Sequence, residues 1–123
     1  MARKKSQNQQ AVQNSIKTLL ANIRFASVDN PVRTLVVTST VPNEGKSTIT
    51  AQLAQAIAAG GKSVLVVECD MRKRSLAGIL NVHPEVGLHA VLADEEPLNQ
   101  AIVALPQQGL YFLDTEPHIP NPP

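Results

Sequence analysis

The run from Thr38 to Thr48, Thr-Ser-Thr-Val-Pro-Asn-Glu-Gly-Lys-Ser-Thr, constrains this chain more than any other feature. An apolar stretch, Thr34-Leu35-Val36-Val37, precedes it, and a helical pattern from Ile49 to Ala59 follows it. Strand, glycine-containing loop, Lys-Ser/Thr and helix is the order that a phosphate-binding loop requires. Backbone N–H groups at the start of such a helix point at an anion, and the helix dipole favours negative charge there. Lys46 would reach the β- and γ-phosphates of a nucleotide as a point charge, and the Ser47 hydroxyl would ligate Mg²⁺. The strict pattern has glycine where Thr40 stands, and the half Gly45-Lys46-Ser47-Thr48 is intact. The plainer reading is a turn capped by Asn43 that feeds a helix. The flanking strand and helix patterns favour the phosphate loop. The candidate nucleotide-binding residues are therefore Thr40, Pro42, Asn43, Glu44, Gly45, Lys46, Ser47 and Thr48.

The chain has 123 residues, enough for one domain with a buried core. Hydrophobic residues make up 43%, nearly all aliphatic, and aromatics 2%, which suits a helix–sheet core. So few aromatics argue against a stacking platform for nucleic acid. The net charge of +1 gives no strong field. Arg3-Lys4-Lys5 lies in a polar stretch, residues 1–10, which reads as a mobile tail. Weak attraction to an anionic membrane surface is the most this cluster would supply. No apolar run approaches the ~20 residues that span a bilayer. No secretory apolar region follows the basic start. The single Cys69 makes no internal disulfide, which fits a reducing compartment, and the expected location is cytoplasmic.

Helical spacing of Val12, Ile16, Leu19, Leu20 and Ile23 predicts an amphipathic helix ending near Phe25, broken by Ser27 to Pro31. A first strand is expected at 34–39. A helix follows from Gly45, with Ile49, Leu53 and Ile57 on one face and alanines allowing close packing. Gly60-Gly61 ends it. A second strand is expected from Ser63 to Val67. Its Val-Leu-Val-Val run does not alternate, so both faces should be buried in a parallel sheet. The two strands and their helix would make a right-handed βαβ unit. Short helices are expected at Ser75–Leu80, Leu88–Ala93 and Leu98–Ala104, a third strand at Leu110–Leu113, and a proline-rich loop at the end.

The second strand runs into Glu68-Cys69-Asp70-Met71-Arg72-Lys73-Arg74. Ligands of open α/β sheets sit beyond the carboxyl ends of the strands. Glu68 and Asp70 could hold water on Mg²⁺ or orient an attacking hydroxyl, and Arg72 could pair with a carboxylate or a phosphate. The plainer reading is a polar loop in which Asp70 caps a turn. The adjoining phosphate loop favours function. His83, His89 and His118 have no zinc-like spacing. Cys69 reads as a buried packing residue and Tyr111 as a structural strand residue.

From about Asn14 to Pro122 the chain resembles the cytoplasmic kinase domain of bacterial tyrosine kinases of capsular and exopolysaccharide biosynthesis, the CpsD/CapB-like proteins, within the wider MinD/ParA-like P-loop ATPases. Thr40 to Thr48 matches the family's phosphate loop, with Asn43 for a glycine. Val64-Leu65-Val66-Val67-Glu68-Cys69-Asp70-Met71-Arg72 matches its second motif, with Glu68 for the first aspartate. Leu110 to Pro122 matches a strand and a Pro-Asn-Pro loop. The resemblance implies a P-loop α/β fold, a parallel sheet with flanking helices, over residues 11–123. It implies ATP and Mg²⁺ as cofactors and ATP-dependent protein-tyrosine autokinase chemistry. Lys46, Asp70, Glu68 and Arg72 would be the catalytic set, and Ser47, Glu68 and Asp70 the metal set. It also implies a membrane-embedded polysaccharide co-polymerase or activator as partner, placing the domain at the inner face of the membrane.

The family carries a glutamate and two basic residues for ring assembly on the helix before the first strand. Asn14, Lys17 and Leu20 stand there, so only weak self-association is expected. The family's Walker B strand with its Asp, and its tyrosine cluster, have no counterpart up to Pro123, as expected of the N-terminal portion of a kinase domain or of a degenerate relative. The resemblance thus implies a sheet incomplete at its C-terminal side, with Thr34–Ser39 and Ser63–Val67 lacking the strand between them. Marginal stability and little autokinase turnover are expected of these residues alone. Two alternatives stay open: a MinD/ParA-like ATPase, and a non-catalytic nucleotide-binding or interaction fragment.

Overall fold

A computed structural model describes residues 2–38 and 45–116. The phosphate-loop candidates Thr40, Pro42, Asn43 and Glu44, together with His118 and the Pro-Asn-Pro segment, lie outside the described residues.

The first helix, α1 (Ala2–Ala26), includes the stretch expected at 12–25 but begins ten residues earlier. The expected mobile tail at 2–10 is helical instead. Its Ala, Arg, Lys and Gln residues are strong helix formers, so propensity carries the helix through a segment that has no apolar stripe. Ile16 is buried, and Leu20 and Ile23 are half-buried, where α1 packs on the second helix. Ser27 closes the last turn, donating its backbone N–H to Ile23 at 3.1 Å.

That second helix, α2 (Lys46–Ala59), begins one residue after Gly45. Gly45 has φ +78°, a left-handed conformation that strains any residue with a Cβ. The buried face of α2 is Ala51, Leu53, Ala54 and Ala58, while Ile49 is exposed. Small alanines, rather than the expected isoleucines, form most of the contact with the sheet. They let the backbone come close. Gly60 ends the helix, its N–H shared between the Ala56 and Ile57 carbonyls at 3.3 and 3.1 Å.

Strands β1 (Val64–Val67), β2 (Val103–Ala104) and β3 (Leu110–Leu113) form a sheet in the order β1-β3-β2. β1 and β3 run parallel, with Val64 opposite Leu110 and Val67 opposite Leu113. β2 runs antiparallel to β3, so the sheet is mixed where a parallel one was expected. The antiparallel pair arises because only Leu105 to Gly109 separates β2 from β3, too little chain for a parallel crossover. Three short helices, α3 (Leu76–Ile79), α4 (Leu88–Leu92) and α5 (Leu98–Ala101), fall within the three stretches the sequence marks as helical.

The expected first strand does not form over residues 34–38, which carry no regular structure. Val36 is 90% exposed and Leu35 is also exposed. A strand exists by pairing, and among the described residues no strand lies beside this run or along the other edge of β1. The expected βαβ unit is therefore reduced to α2 followed by β1.

Burial of both faces of β1 is likewise not observed. Val66 is buried, while Leu65 and Val67 point to the open side. The main core lies on the face of the sheet where Val66, Leu110 and Phe112 meet Ala51, Ala54 and Ala58 of α2, Leu76 and Ala77 of α3, and Leu105. Single-sided burial produces alternation even where every residue of the strand is apolar.

Candidate functional site

The carboxyl ends of β1 and β3 lie side by side, since the Glu68 N–H donates to the Leu113 carbonyl at 3.0 Å. Each strand passes directly into a buried carboxylate, Glu68 after β1 and Asp114 after β3. These two side chains organise the loop from Cys69 to Ser75.

Glu68 is 5% exposed. Its Oε1 accepts the backbone N–H of Ser75 at 2.8 Å and of Leu76 at 3.0 Å. Those donors lie at the start of α3, where no intrahelical acceptor exists. Ser75 Oγ also approaches Glu68 Oε1 at 3.5 Å and is hydrogen-bonded to Ser47 Oγ. The serine of the phosphate-loop helix and the carboxylate ending β1 are thus joined through Ser75. That contact brings the N-terminus of α2 to the carboxyl end of the sheet.

Asp70 closes a turn: its Oδ1 accepts the N–H of Arg72 at 3.1 Å and of Lys73 at 2.9 Å. This is the turn-capping role that the plainer sequence reading gave it. Arg72 is exposed. Cys69, expected to be buried, is exposed as well. It comes after Glu68, where the chain has left the sheet for the loop.

Lys46 is the first residue of α2, and its carbonyl accepts the Thr50 hydroxyl at 2.8 Å. Lys46 and Ser47 are part-buried, and Thr48 is exposed. Of the predicted site residues, the structure brings Ser47 to Glu68 through Ser75 and holds Asp70 and Arg72 in one turn. It leaves Thr48 outward.

Three participants were missed by the sequence reading. Arg74 Nε lies 2.6 Å from Asp114 Oδ2, and the Asp114 side chain is fully buried. Asp114 Oδ1 accepts the Thr115 N–H at 2.8 Å. Ser75 supplies the bridge to Ser47. Asp114 was recognisable by the argument that singled out Glu68, because both are carboxylates at the carboxyl end of a strand. Further along, Glu116 Oε1 accepts the N–H of Gly87 at 3.1 Å and of Ala90 at 2.7 Å, fixing the start of α4.

Among the described residues no three His, Cys, Asp or Glu side chains gather into a metal cage. The donors near the start of α2 are a hydroxyl and carboxylates. This chemistry fits Mg²⁺, which takes one or two protein oxygens and fills its shell with phosphate and water. No helix among the described residues is long and apolar enough to cross a membrane.

Residues 35–95 match the family model of the CobQ/CobB/MinD/ParA nucleotide-binding domain. This span contains α2, β1 and the Glu68–Ser75 loop. Residues 35–95 are similar to a MinD/ParA-like nucleotide-binding domain, and the chain's homologues are bacterial tyrosine-protein kinases. It is 39% identical over 106 residues to the tyrosine-protein kinase YwqD of Bacillus subtilis strain 168, across 86% of this chain and 45% of that protein. The kinase domain of the Escherichia coli tyrosine kinase Etk superimposes with a TM-score of 0.82 at 26% identity, over 89% of this chain and 43% of that one. The chimeric protein CapA2B2 superimposes with a TM-score of 0.79 at 36% identity, over 87% of this chain and 47% of that one. The fold is accordingly α/β of the P-loop NTPase-like kind, with a mixed sheet and flanking helices. The chain spans less than half the length of each of these relatives.

Proposed function

We propose that these residues are the ATP- and Mg²⁺-binding portion of a protein-tyrosine autokinase that regulates capsular or exopolysaccharide biosynthesis and export. The observation that carries this reading is the junction at Ser47. Helix α2 starts at Lys46 behind a left-handed Gly45, and its second residue is tied through Ser75 to the carboxylate that ends β1. A nucleotide phosphate at the start of α2 would meet the Lys46 ammonium and the helix N-terminus. The Ser47 hydroxyl would hold Mg²⁺. The metal would neutralise charge on the phosphates, as phosphoryl transfer requires. Asp70 would orient or deprotonate the tyrosine hydroxyl, and Arg72 would face phosphate. Glu68, buried behind them, would act by fixing Ser75.

The resemblance and the kinase relatives support tyrosine as the acceptor, since the fold alone serves many NTPases. The same support extends to a membrane-embedded polysaccharide co-polymerase as partner, which would bring the domain to the inner face of the membrane.

A titration of the purified chain with ATP and Mg²⁺, beside its Lys46→Met variant, tests the nucleotide site. Losing one charge-assisted phosphate contact of about 1.5–3 kcal/mol should weaken binding roughly tenfold or more. Equal affinity in the two proteins would remove the phosphate-loop assignment. For the kinase reading, ATP-dependent tyrosine phosphorylation by these residues alone should be weak, and whatever is present should be lost in the same variant.

A further inference from the structure

Two buried carboxylates from neighbouring strands hold the same loop end. Glu68, at the end of β1, takes the backbone N–H groups of Ser75 and Leu76. Asp114, at the end of β3, takes the side chain of Arg74 at 2.6 Å. Arg74 and Ser75 are consecutive, so the β3 carboxylate is one residue away from the hydroxyl that touches Ser47. At the other end of the loop Asp70 folds its own turn onto the N–H groups of Arg72 and Lys73. The loop is therefore anchored at Glu68, turned at Asp70 and pinned again at Arg74.

We propose that Arg74 and Asp114 are positioning residues for the metal–nucleotide site. Their pairing sets where Ser75 stands and, through it, the orientation of the Ser47 hydroxyl and the Asp70 turn. The Asp114 side chain is fully buried, so its charge needs a partner, while Arg74 is 28% exposed and spends its guanidinium on that carboxylate. A buried ion pair often adds little net stability over apolar residues of the same size, so its presence here points to geometry. The residues that orient a metal's own ligands commonly matter tenfold or more to metal affinity. This inference rests on the nucleotide-binding reading above.

The test measures ATP affinity of the purified chain with Mg²⁺ and with a chelator, and takes the ratio. The double variant Arg74→Met/Asp114→Leu removes both charges, so no buried carboxylate is left unpaired. It should melt cooperatively near the wild-type temperature. Its chelator-state ATP affinity should match wild type, because Lys46 and the start of α2 are untouched. The Mg²⁺-dependent gain should fall about tenfold. A folded double variant with the full wild-type gain would overturn the proposal, as would a parallel loss in both conditions, which a purely structural pair predicts.

If the double variant does not fold, Arg74→Lys decides, since it keeps a cation beside Asp114 but lacks the Nε donor. A Mg²⁺-dependent gain lowered by about threefold or more supports positioning, and an unchanged gain overturns it. Wild-type chain that binds no ATP would remove the underlying reading and this inference with it, and is told apart because wild type itself fails.

Discussion

The Ser75 backbone N–H donates to Glu68 Oε1 at 2.8 Å, so the carboxylate that ends β1 is also the acceptor from which α3 begins. Leu76 donates to the same oxygen at 3.0 Å. A residue singled out for metal chemistry thus has a structural duty, and the two roles separate by substitution.

Glu68→Ala leaves two donors at the start of α3 without their acceptor in a part-buried site. Each unpaired donor costs about 1–3 kcal/mol, so the variant should lose at least that much stability in urea unfolding. Glu68→Gln keeps an acceptor oxygen and should lose about 1 kcal/mol, the difference between a charged and a neutral hydrogen bond. Equal losses in the two variants would mean that the backbone donors do not depend on this side chain.

Gly87→Ala tests the packing of the loop after β3. A Cβ at Gly87 would collide with the Asp114 backbone carbonyl, which also accepts the Leu88 N–H at 2.6 Å. Backbone cannot rotate away as a side chain can, so a loss of about 1–3 kcal/mol is expected, read as a lower melting temperature. An unchanged melt would show that the start of α4 shifts freely against β3.

Gly45→Ala tests the left-handed turn before α2. Among the described residues nothing lies within 4 Å of a Cβ placed there, so the expected effect is conformational. At φ +78° an alanine should cost about 1 kcal/mol. ATP affinity should fall with it if the turn aims the first N–H groups of α2 at phosphate. Unchanged stability and affinity would argue that the turn relaxes to negative φ.

Self-association should be weak. On α1, Asn14 accepts a hydrogen bond from Gln10 at 3.2 Å, Lys17 is exposed, and Leu20 is half-buried where α1 packs on α2. None of these offers the reciprocal charge pairs implied by the family pattern. Light scattering at micromolar concentration should report a small species, and a stable large ring would contradict the assignment of those three positions.

Much of the site was legible because its signals are local. The Gly45-Lys46-Ser47 core, the helix to Ala59, the strand ending at Val67 and the carboxylates after it all lie within about thirty residues. Each is set by turn chemistry, helical spacing or an apolar run. Ser75 and Arg74 escaped notice because a polar loop residue has no pattern of its own; its meaning comes from what it touches.

Local pattern was enough to say where helices and strands could form, because periodicity and glycine placement act on neighbouring residues. It also determined the chemistry available at the start of α2 and the end of β1. Tertiary structure alone decided the rest. Thr34–Val37 has the composition of a strand yet stays irregular, since a strand needs a partner and no described strand lies beside it. The β1 run Val-Leu-Val-Val reads as buried on both faces, and single-sided packing leaves Leu65 and Val67 exposed. Arg74 and Asp114, forty residues apart in the chain, meet because β1 and β3 pair in parallel and end at the same level. Such a contact depends on the register of two distant strands, which no local pattern specifies.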